Sequence, residues 1–280
     1  IGGFTNYGIN QLKPWVLSAK EVAGKNDVVL VYGNASQETL DWLQEQGVLL
    51  WPMMGVQNVP IHVLRFLSIY EMLRLKYDEY DYVVTTDVKD VYFQTDPFEV
   101  FEQPIYKDNN YKLVVASEGL KYKDEPWGNE NLYQTYGPYV YNLFKDNEIF
   151  NVGTFGGHAE YVKDMVFNIF TNAINRPIPI VDQAVFNVLI NTQPFKDVIL
   201  YTHEWACELG TVMDPSKIES FRPNLLFSEP IWEGKQVMIP PLGLTPFPIV
   251  HQYDRVPELK KFVQEKYGQE DESQYFTYRV

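Results

Sequence analysis

The sequence is short of cysteine, of basic residues and of long apolar runs. Cys207 is its only cysteine, which excludes an intrachain disulfide and any zinc or iron–sulfur site built on several thiolates. Lys and Arg total 23 against 37 Asp and Glu, and the net charge is -14. This balance disfavours nucleic acid and anionic membranes as partners, because binding to either needs positive charge. There is no run of about 18 apolar residues, so we expect no membrane span.

The chain has enough apolar material for a sizeable core. Its 280 residues are 45% hydrophobic and 15% aromatic, and it contains no repeat, low-complexity tract or glycine–serine linker. We therefore expect a single domain over residues 1–280. Because the chain begins at Ile1 rather than Met, we also expect that a leader, anchor or tag is missing. The compartment is left open between the Golgi or endoplasmic reticulum lumen, with an anchor removed, and the cytoplasm.

Short apolar runs alternate with helical patterns along the chain. Runs of this kind are typical of strands buried on both faces of a parallel sheet. Predicted strands cover 28–32, 82–86, 112–116 and 197–201, and predicted helices cover 10–23, 37–46, 61–77, 158–174, 181–191 and 256–266. The alternation predicts an α/β fold with a mostly parallel, Rossmann-like sheet flanked by helices. Residues 118–144, rich in Tyr, Gly, Asn and Pro, predict a long loop or lid, and 194–250 a loop-rich tail.

Acidic residues follow one of the predicted strands directly. The apolar run 82–86 leads into Asp87 and Asp90, at the edge of an open α/β sheet where ligands bind. Clustered carboxylates repel one another unless a cation neutralises them, and their hard oxygen ligands suit magnesium or manganese. The alternative is structural, with Asp87 capping a turn and Asp90 pairing with Lys89 or Arg65 on the surface.

The segment YVVTTDVKDVYFQTDPFEVF, residues 82–101, resembles the metal-binding strand end of type A (GT-A) nucleotide-diphospho-sugar glycosyltransferases, above all families eight and seventy-seven. Those families carry a D-x-D motif, whereas the spacing here is D-V-K-D. Asp87 fits the first aspartate. Either Asp90 takes the second role through a local bulge, or Lys89 stands there and metal binding is altered. We favour Asp90, since a charged lysine cannot ligate a cation.

The N-terminal segment Ile1-Gly2-Gly3-Phe4-Thr5-Asn6-Tyr7 resembles the uridine-binding loop of the same transferases, expected where a first strand has ended. The glycines would let the backbone approach a ribose or base closely, and Phe4 or Tyr7 could stack on a base. The resemblance implies donor contacts from residues in a single stretch: Gly3, Phe4, Thr5 and Asn6. A plain strand-to-helix turn is the alternative.

Two further segments resemble parts of the sugar site in family eight. Asn151-Val152-Gly153 is similar to the F-N-x-G segment that lines the donor sugar pocket, which implies donor contacts from Asn151 and Gly153. Asp182-Gln183 resembles the D-Q helix start, and this implies catalytic roles for both residues. Asp182 is also a plausible helix cap, and the two roles are compatible.

His251 ends an apolar run near the C-terminus. In family eight a histidine in this region completes the metal site, so the resemblance implies the metal ligands Asp87, Asp90 and His251, holding Mn²⁺ or Mg²⁺. The glycine and lysine that normally follow are replaced by Tyr253-Asp254-Arg255. Arg255 could replace the lysine, and a purely structural histidine is the alternative. The other three histidines are interpreted as structural or surface residues.

Together the resemblance implies transfer of a sugar from a nucleoside diphosphate donor, expected to be a UDP-sugar, to a glycan or protein hydroxyl, with a lean towards retention. Asp87 and Arg65 would face the donor, with a surface role as the alternative for Arg65. Glu118 and Trp127 would contact the acceptor. Residues 1–116 would form the nucleotide- and metal-binding half and 117–280 the acceptor-binding half. For an inverting reaction Asp182, and then Glu118, would be the candidate base.

Three other functions compete with this interpretation. The main alternative is a catalytically inactive carbohydrate- or nucleotide-sugar-binding protein on the same fold, suggested by Lys89 within the motif and by the missing glycine and lysine. A nucleotidyltransferase is less favoured, because the N-terminal glycines carry no basic residue nearby. A hydrolase with paired carboxylates is a third candidate, although acids at a strand end fit metal binding better.

Overall fold

The computed structural model describes residues 1–55, 59–176 and 178–270. The predicted domain of residues 1–280 thus includes a C-terminal segment, 271–280, outside the described residues. Strands in the described ranges are β1 (Gly2–Phe4), β2 (Val29–Tyr32), β3 (Leu49–Pro52), β4 (Tyr82–Thr86), β5 (Val91–Phe93), β6 (Leu113–Lys121), β7 (Glu148–His158), β8 (Ile199–Thr202), β9 (Ala206–Glu208), β10 (Ile231–Trp232), β11 (Val237–Met238) and β12 (Ile249–His251).

The helices alternate with these strands over much of the chain. They are α1 (Ile9–Val22), α2 (Gln37–Glu45), α3 (Ile61–Lys76), α4 (Glu99–Glu102), α5 (Pro104–Asp108), α6 (Pro126–Phe144), α7 (Ala159–Ala173), α8 (Asp182–Ile190), α9 (Leu209–Val212), α10 (Ile218–Phe221) and α11 (Pro257–Tyr267). None of the helices in the described ranges is both long and apolar enough to span a bilayer.

Seven strands form the central sheet, in the order β3-β2-β1-β4-β7-β6-β8. The neighbours β3, β2, β1 and β4 run parallel to one another, and β8 is parallel to β6. Strand β7 is antiparallel to both of its neighbours, β4 and β6. The prediction of an α/β fold with a mostly parallel sheet flanked by helices is confirmed.

The central strands are buried on both faces, as their continuous apolar sequences predict. In β2, Val29 and Val31 point into a core shared with α3, α7 and α8, whereas Leu30 points into the opposite core against α1. Successive side chains of a strand alternate between faces, so an uninterrupted apolar run serves two helix layers at once. This packing leaves the strand ends as the place where polar residues can gather.

The loop or lid predicted for residues 118–144 is wrong. Strand β6 continues to Lys121, and α6 begins at Pro126, where a proline costs no helical hydrogen bond. Glu125 caps this helix by accepting a hydrogen bond from the amide of Trp127 at 3.3 Å. Gly137 has a φ of 76° and bends the helix in its middle. The Pro and Gly residues that indicated a loop therefore mark the start of a helix and its kink.

A second, three-stranded sheet has the order β5-β12-β9. Strand β5 begins directly after Asp90, and β12 ends at His251. Because β12 is antiparallel to β5, with His251 opposite Val91, the C-terminal histidine is carried back to the turn that holds the two aspartates. The tail predicted to be loop-rich thus contributes β12, the short strand that carries His251 to the two aspartates.

Candidate active site

The aspartates lie where β4 ends at the edge of the central sheet. The amide of Asp87 donates to the carbonyl of Gly153 on β7 at 2.7 Å, which fixes the backbone just beyond the strand. A turn then returns the chain so that Asp90 comes back beside Asp87, while Lys89 lies exposed. The placement supports Asp90 rather than Lys89 as the second residue of the motif.

Asp87, Asp90 and His251 form a compact group, which we call the carboxylate–histidine cluster. One ligand atom from each lies within 4.8 Å of the other two. The Nε2 atom of His251 is 3.5 Å from Asp87 Oδ2 and 3.5 Å from Asp90 Oδ1. The two aspartate side chains are 31% and 19% exposed, so a ligand in solution can reach them.

The cluster fits a divalent cation in both chemistry and space. Two carboxylates and one imidazole are oxygen and nitrogen ligands that manganese accepts, and magnesium accepts the carboxylates. Gly153 lies against them, and a Cβ atom there would be 2.7 Å from His251 Cε1 and 2.8 Å from Asp87 Oδ2. A larger residue at position 153 would push into the ligands, so the glycine keeps the cradle open.

Arg65 on α3 connects the cluster to Asp182. Its guanidinium Nη1 is ion-paired with Asp87, and Nη2 lies 3.4 Å from Asp182 Oδ2. Burial alone would raise the pKa of Asp87, but Arg65 and His251 outweigh it and hold that pKa well below its usual range. The Arg65 side chain is only 12% exposed, so the alternative of a surface residue does not hold.

His251 is held in a strongly negative setting. Burial by itself would lower the pKa of its imidazole, but Glu208, Asp90 and Asp87 raise it well above the ordinary value. Its Nδ1 atom lies 2.6 Å from Glu208 Oε2. The carboxylates around the ring therefore favour its charged form.

A second polar group, which we call the amide network, consists of Glu118, Asn151, Gln183 and Asn187. Glu118 Oε1 accepts from Asn151 Nδ2 at 2.7 Å and from Gln183 Nε2 at 2.9 Å. Gln183 Oε1 accepts from the amide of Val152 at 2.8 Å, and Asn187 Oδ1 from the amide of Phe150 at 2.9 Å. The network fastens the start of α8 to the segment of β7 that enters the site.

Two acids in this part of the site bind protons more tightly than usual. Burial, with help from Glu208 and Glu125, raises the pKa of Glu118 to about 8. Burial also raises the pKa of Asp182, although Arg65 and His62 oppose it. Raised carboxyl pKa values are a feature of acid–base sites.

In the N-terminal segment, the structure corrects the expected position of the glycines. Gly2 to Phe4 form strand β1 itself, and the loop after it starts at Thr5. Phe4 is 1% exposed and packs in the core, so its ring is not available to stack on a base. Thr5 Oγ1 accepts from the amide of Asn34 at 3.0 Å, and the Asn6 amide donates to the Asn34 carbonyl at 2.6 Å. Gly3 lies on the same strand, where a Cβ would be 2.9 Å from Arg65 Cβ.

Trp127, predicted to lie in the acceptor loop, is instead in the first turn of α6 and is 52% exposed. Asn131, four residues later and therefore on the same side of the helix, donates to the carbonyl of Ile180 at 2.6 Å. Ile180 precedes Asp182 by two residues. The contact that ties α6 to the chain before α8 is therefore made by Asn131, one turn from Trp127.

Several site residues were missed by sequence reasoning. Tyr7 was considered only for stacking, but burial first and then the charges of Asp90 and Asp87 raise the pKa of its hydroxyl, while Arg65 opposes them, so Tyr7 lies within electrostatic range of the cluster. Glu208 gave no signal, because only the pairing of β9 with β12 places it beside His251. Asn187 lies four residues after Gln183, a spacing that places both side chains on one face of α8.

The comparisons with known proteins identify the fold. No protein-family model matches the sequence, and no curated protein matches it. Comparison with solved structures shows that the chain has a GT-A fold, as the resemblance to GT-A transferases predicted. The apo crystal structure of mouse xyloside xylosyltransferase 1 matches with a TM-score of 0.50 and 13% identity, over 89% of this chain and 95% of that one. At this identity the match establishes the fold, and the function must be argued from the site.

Proposed function

We propose that the protein is a metal-dependent glycosyltransferase that moves a sugar from a nucleoside diphosphate donor to an acceptor hydroxyl. The observation that carries this proposal is the convergence of Asp87, Asp90 and His251, from two sheets and far apart in sequence, at the strand-end edge of a GT-A fold. That edge is where open α/β sheets bind ligands. Asp182 is linked to the cluster through Arg65, and Gln183 follows it on α8.

Asp87, Asp90 and His251 would hold the cation, Mn²⁺ or Mg²⁺. A divalent cation held there supplies Lewis-acid stabilisation of the negative charge that develops on a departing diphosphate. Arg65 is ion-paired with Asp87, and we assign it to the donor side. Asn151 and Gly153 would shape the floor of the sugar pocket, because Asn151 Oδ1 accepts from the Gly153 amide at 2.6 Å. Thr5 and Asn6 would contact the nucleoside, with UDP as the expected nucleotide.

Asp182 and Glu118 would serve the acceptor side. Asp182 lies at the first turn of α8, 3.4 Å from the Arg65 guanidinium, where it can orient a hydroxyl or accept its proton. Gln183 would act by position, since its amide is bonded to Val152 and Glu118. The exposed ring of Trp127 suits stacking against a sugar ring. Retention of the anomeric configuration stays a prediction from the family resemblance.

The main alternative, a catalytically inactive carbohydrate- or nucleotide-sugar-binding protein, would use the same donor site. Its strongest sequence argument was Lys89 within the aspartate motif. The exposure of Lys89 weakens that argument, because the side chain lies outside the cluster.

The test combines donor binding with turnover. A thermal-shift screen of UDP- and GDP-sugars with and without Mn²⁺ should find a donor that stabilises the protein only when the metal is present. That donor should then be hydrolysed slowly, and transferred when an acceptor is supplied. Asp182→Asn should bind the donor as the wild type does, but its turnover rate should fall by at least about 100-fold. Metal-dependent binding without any turnover in the wild type would favour the binding-protein alternative, and no metal-dependent binding would reject both.

A further inference from the structure

Glu208 is a buried carboxylate that sequence reasoning did not find. It ends strand β9, and the parallel pairing of β9 with β12 puts it in register with His251. Its side chain is 0% exposed. Burying a carboxylate costs free energy unless it is paired and hydrogen-bonded, so the contacts of Glu208 must offset that cost.

Both oxygens of Glu208 are engaged. Oε2 lies 2.6 Å from His251 Nδ1, and Oε1 accepts a hydrogen bond from the hydroxyl of Thr154 on β7. The carboxylate is therefore held from two sides, by the central sheet through Thr154 and by the small sheet through its own strand. It has no freedom to turn away from the imidazole without breaking one of these contacts.

The contact determines which ring nitrogen faces the aspartates. A carboxylate only accepts hydrogen bonds, so Nδ1 of His251 must carry a proton. The Nε2 atom then points at Asp87 and Asp90, 3.5 Å from an oxygen of each. A histidine that ligates a metal through one nitrogen needs its other nitrogen held in this way, and the partner also makes the ligand more basic.

We infer that Glu208 is a positioning residue that acts through His251: it fixes the tautomer and ring orientation with which His251 binds a divalent cation. Glu208 is shielded from solvent and lies behind the ring, so it would not touch the donor or the acceptor. This inference rests on the proposed metal site and deepens it, because it assigns the support of the third ligand to two residues, Glu208 and Thr154.

The experiment measures Mn²⁺ binding directly, from the electron paramagnetic resonance signal of free Mn²⁺, without donor or turnover. Glu208→Gln keeps the size of the side chain and should weaken Mn²⁺ binding about 10- to 100-fold, the usual cost of losing an outer-sphere partner. Thr154→Val, which leaves Glu208 and its charge in place, should weaken binding in the same direction by a smaller factor. With Co²⁺ as a spectroscopic probe, both variants should shift the visible absorption bands.

The controls separate this inference from the proposed metal site. Asp90→Ala should lose Mn²⁺ binding in the same assay, and circular dichroism and urea midpoints should show which variants fold. If Glu208→Gln and Thr154→Val fold and bind Mn²⁺ within two-fold of wild type while Asp90→Ala does not, the role of Glu208 is rejected and the metal site stands. If Asp90→Ala binds Mn²⁺ like wild type, the metal site itself is rejected, and this inference with it.

Discussion

The carboxylate–histidine cluster and the amide network are neighbours at one edge of the sheet, and they differ in how their polar atoms are paired. In the cluster, His251 Nε2 lies 3.5 Å from each aspartate oxygen, longer than an ordinary N–H···O hydrogen bond. In the network, the bonds of Glu118, Gln183 and Asn151 measure 2.6 to 3.1 Å. The ligand atoms of the cluster thus leave space between them, whereas the polar atoms of the network are already hydrogen-bonded to one another and to β7.

This difference indicates a division of labour. The carboxylates of the cluster lie close together and repel one another, so a cation placed among them would stabilise them. The hydrogen bonds of the network keep the start of α8 fixed against β7 and so fix Asp182. We therefore expect mutations in the cluster to affect ligand binding with little effect on folding, and mutations in the network to affect folding with little effect on metal binding.

The largest effect is expected for Asp90→Ala. Removing a metal ligand should weaken Mn²⁺-dependent binding of UDP at least about 100-fold, since losing even an outer-sphere partner costs about 10- to 100-fold. The urea midpoint should stay close to wild type, because Asp90 is partly exposed. Calorimetric titration with UDP and Mn²⁺ measures the first quantity and urea denaturation the second.

Lys89→Ala is the matched control for that variant, because Lys89 occupies the same turn and is exposed. It should bind UDP and Mn²⁺ within about two-fold of wild type, as exposed substitutions away from a site usually have small effects. A large loss in Lys89→Ala together with unchanged binding in Asp90→Ala would reverse the assignment of the second motif position.

For the amide network, Gln183→Ala should reduce the free energy of unfolding by roughly 2–4 kcal/mol. The buried amide of Val152 loses its partner, and an unsatisfied buried polar group costs about 1–3 kcal/mol. Glu118 Oε1 loses one of its two hydrogen bonds and keeps the one from Asn151, which adds about 1 kcal/mol. Urea denaturation measures the change. The same substitution at the exposed Gln134, on α6, should cost less than about 1 kcal/mol.

Mn²⁺ binding supplies the other half of this test. If the network acts by position alone, Gln183→Ala should bind Mn²⁺ as the wild type does once it is folded. A variant that keeps its stability but loses the metal would show that the two groups are not separate.

Glu118→Gln tests the network through the pH dependence of stability. The folded protein raises the pKa of Glu118 from 4.5 to about 8, so between these values the folded state holds a proton that the unfolded state has released. The contribution of Glu118 to stability is therefore complete below pH 4.5 and is lost as the pH rises towards 8. Gln cannot ionise, so across this window the free energy of unfolding of the variant should rise relative to that of wild type. The rise should be a few kcal/mol at most, given about 1.4 kcal/mol per pKa unit.

Urea denaturation of both proteins at pH 5, 6, 7, 8 and 9 measures this gain, and the comparison at pH 5 is the internal control. The difference in unfolding free energy should be smallest at pH 5, grow as the pH rises and level off above pH 8. A difference that stays constant over the whole range would show that Glu118 is ionised in the folded protein at every pH tested.

Much of the fold was readable because local patterns decide it. The apolar runs that became β2 and β4 and the periodic segments that became α3, α7 and α8 were placed within one or two residues. Residues 118–144 were misread, because Pro126 and Gly137 break helices in most contexts. Here the Glu125 side chain caps the first turn, and Gly137 supplies a bend that the helix accommodates. Local propensity favoured a loop, and capping and packing against the sheet decided the outcome.

The sequence by itself determined the alternation of strands and helices, the carboxylates after β4 and the order of the motif segments, since these depend on neighbours along the chain. Only the tertiary structure decided that Asp90 rather than Lys89 faces His251, that Phe4 is buried, and that Glu208 stands behind the imidazole. Each of these depends on strand register and on the return of β12 to β5, and contacts between residues more than 40 positions apart leave no local pattern. The physical reason is that pairing between distant strands is set by the closing of the whole core, which no short stretch of sequence encodes.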